Sequence, residues 1–157
     1  MPEGPILRAA TVADLRACAD IVNDHIDALA WLPRRASRRT VEEAFHVAFA
    51  DGRNIMVAEA DGRVIGYSSV EPREGRPAHL HALYLRPAYR RQGIGKRLLD
   101  MAKARFAEGF ELTVFEPNGK AKRFYEREGL VEDETRRDDE TEEGVPTLMM
   151  VWRGAQT

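Results

Sequence analysis

The order of apolar runs and turn signals predicts a mixed α/β domain: a mostly antiparallel sheet flanked by helices. Three observations carry this. First, Asp61-Gly62 separates two β-rich runs, residues 54–60 and 63–72, and such a pair is a strong hairpin signal. Second, the apolar strand Leu83-Tyr84-Leu85 runs to Pro87 and turns through Arg90-Arg91-Gln92-Gly93-Ile94-Gly95 into a stretch where Ile94, Leu98, Met101 and Ala102 share one helical face. Third, another strand, residues 110–115, follows that helix. A helical crossover implies that it lies parallel to the strand before it.

Taken in order, residues 1–5 read as a loose tail and residues 6–10 as a first strand. Thr11, with Asp14 three positions on, resembles a capping box. The helix it opens carries Leu15, Cys18, Ala19, Val22 and Ile26 on one stripe. Cys18 on that stripe reads as a small buried thiol. Residues 27–39 form an irregular stretch containing Trp31, and Thr40 with Glu43 predicts the cap of a second helix ending at Asp51-Gly52.

The hairpin comes next, then a loop at residues 74–77 and a strand over residues 79–85. The motif helix is predicted to end near Glu108-Gly109. A short helix starts at Pro117-Asn118 and closes at Gly129. Residues 130–135 and 145–152 read as a terminal strand pair, joined by a polar, acidic, solvated loop.

A chain of 157 residues suits a single domain, 1–157, around one core. A formal net charge of -2 gives no overall field favouring nucleic acid. No apolar run reaches the ~20 residues of a membrane span. The first residues lack the basic-then-apolar pattern of a signal peptide. With one cysteine, Cys18, there is neither an intrachain disulfide nor a multi-cysteine metal site. The expectation is a cytoplasmic protein without a metal.

Chemistry concentrates in the turn after Leu85. Glycines allow close backbone approach, and the first N–H groups of a helix lack internal partners and sit at the positive end of its dipole. Together with Arg90, Arg91, Lys96 and Arg97 they make an anion cradle suited to a phosphate or pyrophosphate. It is not a Walker loop, because Arg97 follows Gly95-Lys96 where a hydroxyl is needed. Nor is it a dinucleotide fingerprint, because Leu98 holds the third glycine position.

Two segments carry a family resemblance. Arg90-Arg91-Gln92-Gly93-Ile94-Gly95 resembles the Gln/Arg-x-x-Gly-x-Gly/Ala signature of the GNAT superfamily of N-acetyltransferases. Asn118-Gly119-Lys120-Ala121-Lys122-Arg123-Phe124-Tyr125-Glu126-Arg127-Glu128-Gly129-Leu130 is similar to that family's Asn-x-x-Ala-x-x-Phe-Tyr-x-x-x-Gly-Phe segment, with Leu130 in place of Phe. The resemblance implies the family's acyl-CoA N-acyltransferase fold, acetyl-CoA as cosubstrate and a primary amine of a small molecule or peptide as acceptor, attacked directly.

It further implies roles. Backbone groups of Leu83, Tyr84 and Leu85 would pair with the pantetheine arm. The amides of Arg91, Gln92, Gly93, Ile94, Gly95 and Lys96 would hold the pyrophosphate, with Arg90 and Arg91 adding charge. Asn118 would hydrogen-bond near the sulfur, Tyr125 would be the general acid, and Leu85 N–H the oxyanion donor. The loop holding Trp31 would wall the acceptor site. Dimerisation is common in the family, so a homodimer is compatible with the chain.

The proton acceptor is left between two residues. Glu71 ends a strand, and His81 lies one strand over, sharing a face with His79. Histidine titrates in the useful range, and either group serves through water. The alternative to an enzyme is an acetyl-CoA-binding regulatory module that keeps the cradle without a working acid and base.

Overall fold

The computed structural model describes residues 4–155. Residues 1–3 of the expected tail lie outside them; Gly4 and Pro5 have no regular structure. The elements are β1 (Ile6–Ala9), α1 (Leu15–Ala28), α2 (Arg38–Ala50), β2 (Asn54–Ala60), β3 (Arg63–Glu71), β4 (Ala78–Leu85), α3 (Ile94–Arg105), β5 (Phe110–Phe115), α4 (Gly119–Arg127), β6 (Val131–Asp138) and β7 (Thr147–Trp152). Short 3₁₀ turns precede α1 and α3, at Val12–Asp14 and Pro87–Tyr89. No helix of the described residues is long and apolar enough to cross a membrane.

The strands form one sheet in the order β1-β2-β3-β4-β5-β7-β6. All neighbours are antiparallel except β4 and β5. That parallel pair is short: Ala78 faces Phe110 and His79 faces Glu111, and the register goes no further. Beyond it the strands part, and the sheet carries an opening between residues 80–85 and 112–115.

Alternation along each strand feeds clusters on both faces of the sheet. Val57 and Tyr67 pack with Leu15, Cys18 and Ile21 of α1. Ala58 and Ile65 turn to the other face, against Ile94 and Leu98 of α3. A third cluster joins Leu80, Phe110, Leu112 and Met150 to Leu99 and Ala102 of α3 and Tyr125 of α4. Thus α1 covers one face, and α3 with α4 covers the other. Helix α2 packs on α1 and contributes Phe45 and Phe49 to the first core, but none of its residues is fully buried.

Local chemistry explains the boundaries. Asp61 and Gly62 both adopt positive φ, 54° and 73°, as a tight hairpin of this type requires. Asp14 reaches back to accept from the Thr11 N–H at 2.7 Å, so that cap lies where expected. The α2 cap lies elsewhere. Ser37, not Thr40, is the N-cap, and its hydroxyl accepts from the Thr40 N–H at 3.1 Å.

Helix α3 stops at Arg105, before the predicted Glu108-Gly109, and the chain reaches β5 through Gly109 at φ 123°. Strand β6 runs three residues past its predicted end, to Asp138. Arg136 explains part of this, since its guanidinium reaches back to Glu111 at 2.7 Å and so ties the extension to the sheet.

Candidate active site

Four features bear on the site: the free edge of β4, the turn that follows it, helix α4, and a side-chain pair at the other end of β4. The first is its edge. The Arg86 N–H donates to Ile65 O at 2.8 Å. Hydrogen-bonding direction alternates along an antiparallel ladder, so the backbone groups of Tyr84 also turn toward β3, and those of Leu83 and Leu85 turn toward the opening. The backbone edges of Leu83 and Leu85 are thus free of the β3–β4 ladder, whereas the backbone of Tyr84 belongs to it, opposite Tyr67. Gly66 lies opposite Leu85, and a Cβ there would fall 2.3 Å from a Leu85 methyl and 3.0 Å from the Tyr84 carbonyl oxygen, so a larger residue would displace the Leu85 side chain and crowd the strand.

The second feature is the turn into α3. On entry the Tyr89 N–H donates to Arg86 O at 2.9 Å and the Arg90 N–H to Pro87 O at 3.3 Å, and the next backbone bond begins at Arg97, whose N–H donates to Gly93 O at 3.1 Å. The N–H groups of Arg91, Gln92, Gly93, Ile94, Gly95 and Lys96 therefore have no acceptor among the described residues. Gly93 is the N-cap with φ 81°, and Arg91 adopts φ 64°. Successive N–H groups in such a left-handed geometry form an anion-binding nest. Ile94, 1% exposed, anchors the nest in the core.

The side chains around the nest divide. Arg90, Arg91 and Arg97 make no salt bridge among the described residues. Lys96 is committed to Asp100 and Glu128, at 3.1 Å each. Its ammonium is already neutralised; its backbone N–H stays available. The Gln92 amide folds back onto the Ala88 carbonyl at 3.2 Å.

The third feature is α4. Asn118 caps it, its Oδ1 accepting from the Ala121 N–H at 3.2 Å; the side-chain NH₂ remains as a donor. Tyr125 is 8% exposed, and no hydrogen bond to its hydroxyl is present among the described residues. Burial and the neighbouring Tyr84 push its pKa up, so the phenol stays protonated across the neutral range. Tyr125 belongs to the α3-side core and Tyr84 packs on the α1-side core. The two side chains thus stand on opposite faces of the sheet.

The fourth feature joins the two proton-acceptor candidates. His81 Nε2 lies 2.8 Å from Glu71 Oε1. A bulge makes this possible: Ser69 pairs with Ala82 but Val70 with Leu80, leaving His81 as the extra residue of β4. The His79 and His81 rings lie 4.5 Å apart. The His81 hydrogen bond holds the Glu71 carboxyl below its usual range. Burial lowers His81 and outweighs the opposing pull of Glu71. Burial takes His79 lower still, to about 4. At neutral pH the pair is thus carboxylate and neutral imidazole.

One residue had no distinguishing signal in the sequence. His25, on the last turn of α1, places its ring 4.6 Å from that of Tyr84, and burial followed by the charge of Arg90 lowers its pKa. Cys18 is fully buried, and burial pushes its thiol up to about 12, as suits an inert core residue.

Comparisons with known proteins follow the same lines. Residues 19–130 match the Acetyltransferase (GNAT) family. The peptidyl-lysine N-acetyltransferase YiaC of Escherichia coli (strain K12) is 35% identical over 101 residues, which cover 64% of this chain and 64% of that protein. The aligned stretch is thus under two thirds of that relative's length. Among solved structures, yncA from Salmonella typhimurium with its cofactor acetyl-CoA has a TM-score of 0.76 at 19% identity, covering 99% of this chain and 96% of that one. A phosphinothricin acetyltransferase from Sinorhizobium meliloti in complex with AcCoA has a TM-score of 0.77 at 20% identity, covering 98% and 90%. At those identities the likeness is one of fold. With the family match spanning most of the sequence and the fold shared end to end, the chain belongs to the GNAT family of acetyltransferases.

Proposed function

We propose that the chain transfers the acetyl group of acetyl-CoA to a primary amine on a small molecule or peptide. The observation that carries this is the run of six N–H groups without acceptors among the described residues, from Arg91 to Lys96, beside facing edges of β4 and β5 that are unpaired beyond His79 and Glu111. A diphosphate and an amide-bearing arm are complementary to these two features respectively. When bound, acetyl-CoA would supply an acyl thioester.

The chain's own groups divide the work. The Arg91–Lys96 amides and the guanidinium groups of Arg90 and Arg91 bind the diphosphate. Backbone groups of Leu83 and Leu85 and the free NH₂ of Asn118 orient the arm. Leu85 N–H points into the opening as a donor for charge developing on the carbonyl oxygen. Tyr125 holds the proton that the departing sulfur needs. Glu71 and His81 take the proton that the amine gives up.

Magnitudes rank these roles. An alkyl amine with a pKa near ~10.4 must lose a proton at neutral pH, which costs about 4–5 kcal/mol. A thiol with a pKa near ~8.5 leaves more easily. Proton removal by the Glu71–His81 pair therefore matters at least as much as proton donation by Tyr125. The test is thiol release from acetyl-CoA against a panel of amines. Amine-dependent release is expected. Coenzyme binding without release for any amine would leave a binding module and overturn the enzymatic reading.

A further inference from the structure

Arg53 joins α2 to β2 and is fixed at two points. Its N–H donates to the Ala48 carbonyl at 3.0 Å, and its Nη1 donates to the buried Ser69 hydroxyl at 3.2 Å. A hydroxyl leaves the positive charge unanswered, and Arg53 makes no salt bridge among the described residues. Arg73 nearby is already engaged: its Nη2 donates to Glu111 and its Nε to the Pro77 carbonyl, each at 2.8 Å.

Strand register puts the Arg53 guanidinium on the face where Glu71 and His81 stand. Ser69 pairs with Ile55, which belongs to the α1-side cluster, and Ser69 and Glu71 alternate along β3 onto that same face. His81, bonded to Glu71, lies just past His79, the last β4 residue with a β5 partner. The pair therefore stands at the closed end of the opening, on the α1 side, with Tyr125 in the core of the opposite side. The Arg53 charge reaches both members. Glu71 is lowered first by the His81 hydrogen bond and, more weakly, by Arg53; His81, lowered chiefly by burial, is lowered by Arg53 as well.

Arg53 and Glu71 line one cleft of about 470 Å³, together with the carboxylates of Asp51 and Glu74. That volume suits a small molecule. Ser69 holds the guanidinium, His81 holds the Glu71 carboxylate, and no salt bridge joins Arg53 to Glu71 among the described residues. Opposite charges kept apart across one cleft are complementary to a zwitterion. The carboxylates draw in an ammonium, and the remaining guanidinium donors match a carboxylate. Since both groups must fit one cleft, they belong to one small molecule.

We propose that this cleft selects a free amino acid as acceptor: Arg53 binds its carboxylate and thereby turns its amine toward Glu71 and His81. This rests on the acetyltransferase reading above and names its substrate class.

The test measures thiol release from acetyl-CoA with the common α-amino acids and with the primary amide of each, for the native protein and Arg53→Ala. The amide keeps the amine and loses the negative charge. The native protein should favour acids over amides. Arg53→Ala should cut that preference roughly 10- to 100-fold, chiefly through the acceptor KM. Each amine is compared with itself across the two proteins, so its own basicity cancels. Arg53→Lys keeps the charge without the fork and should fall between them; it carries the comparison if Arg53→Ala does not fold.

A native protein that takes amides as readily as acids overturns the assignment, as does a preference that Arg53→Ala leaves intact. Turnover of other amines with no amino acid accepted overturns it too, while the acetyltransferase reading stands. If no amine releases thiol, that reading fails, and calorimetry with the same acids and amides decides the cleft. Heat from an acid but not from its amide, lost in Arg53→Ala, supports the amino-acid site; no such difference overturns it.

Discussion

His81 Nε2 and Glu71 Oε1 are 2.8 Å apart, so the two proton-acceptor candidates are a single hydrogen-bonded unit. As the proposed proton acceptor His81 would work as neutral imidazole, and burial keeps it below its ordinary value of 6.5. Plotted against free-base amine, kcat/KM should fall on the acid side with an apparent pKa below that value. Glu71 pulls the His81 pKa upward, so Glu71→Gln should move the limb to still lower pH. His81→Ala should remove the limb and lower turnover roughly 10²-fold. A limb that neither variant moves would take the pair out of the proton path.

Tyr125→Phe should lower turnover by roughly 10²-fold, the low end for a general acid. Burial and Tyr84 hold the phenol protonated well above neutral pH, so no alkaline limb from it should appear below about pH 10. A loss smaller than ~3-fold, far under the general-acid range, would leave Tyr125 as packing only.

Arg91 sets stability against binding. Its φ of 64° is left-handed, a conformation that costs a non-glycine residue about 1–2 kcal/mol. Glycine relieves that strain but adds backbone entropy, so Arg91→Gly should stabilise the fold by roughly 0.5–1 kcal/mol. The same change removes a guanidinium from the nest and should weaken coenzyme binding. Denaturant melts and calorimetry with CoA measure the two effects separately. Tighter or unchanged binding would exclude Arg91 from the phosphate site.

Asp14 links pH to stability. Its carboxylate accepts from Arg8 at 2.7 Å and from the Thr11 N–H at 2.7 Å. The Arg8 hydrogen bond, followed by that of Thr11, overcomes burial and lowers its pKa from 3.8 to about 2. A depressed carboxylate contributes stability above its unfolded pKa and loses it as pH falls through the folded one. Asp14→Asn keeps a capping oxygen and should cost about 2 kcal/mol at neutral pH. The gap from the unmodified protein should close between roughly pH 5 and pH 1. A gap independent of pH would assign the loss to packing.

Legibility in the sequence followed the range of the interaction. Asp61-Gly62 and the run from Phe110 to Phe115 were readable because turn dihedrals and apolar runs are local. The nest was readable for the same reason: Gly93 and a helix start lie within a few residues of each other. The α2 cap was misplaced because Ser37 and Thr40 both offer hydroxyls, and the Arg34–Asn23 contact that shapes the connection spans 11 residues.

Non-local geometry was hidden. Nothing in the spacing of residues 69–82 announces the bulge that turns His81 toward Glu71, or which backbone edge Tyr84 presents. In the sequence His25 is one polar residue of a helix; its partner Tyr84 lies 59 positions away. Arg136 reads as part of a solvated loop, yet it reaches buried Glu111 from two strands away.

The two-residue pairing of β4 with β5 makes the sheet two lobes joined at one corner. An extended arm seated between them would supply the missing rungs from both sides. Coenzyme would then act as a temporary strand, adding backbone rungs to the side-chain core that already joins β4 to β5 and β7. Slowed amide exchange on arrival of CoA should therefore reach beyond the contacted residues, as far as β7 and β6.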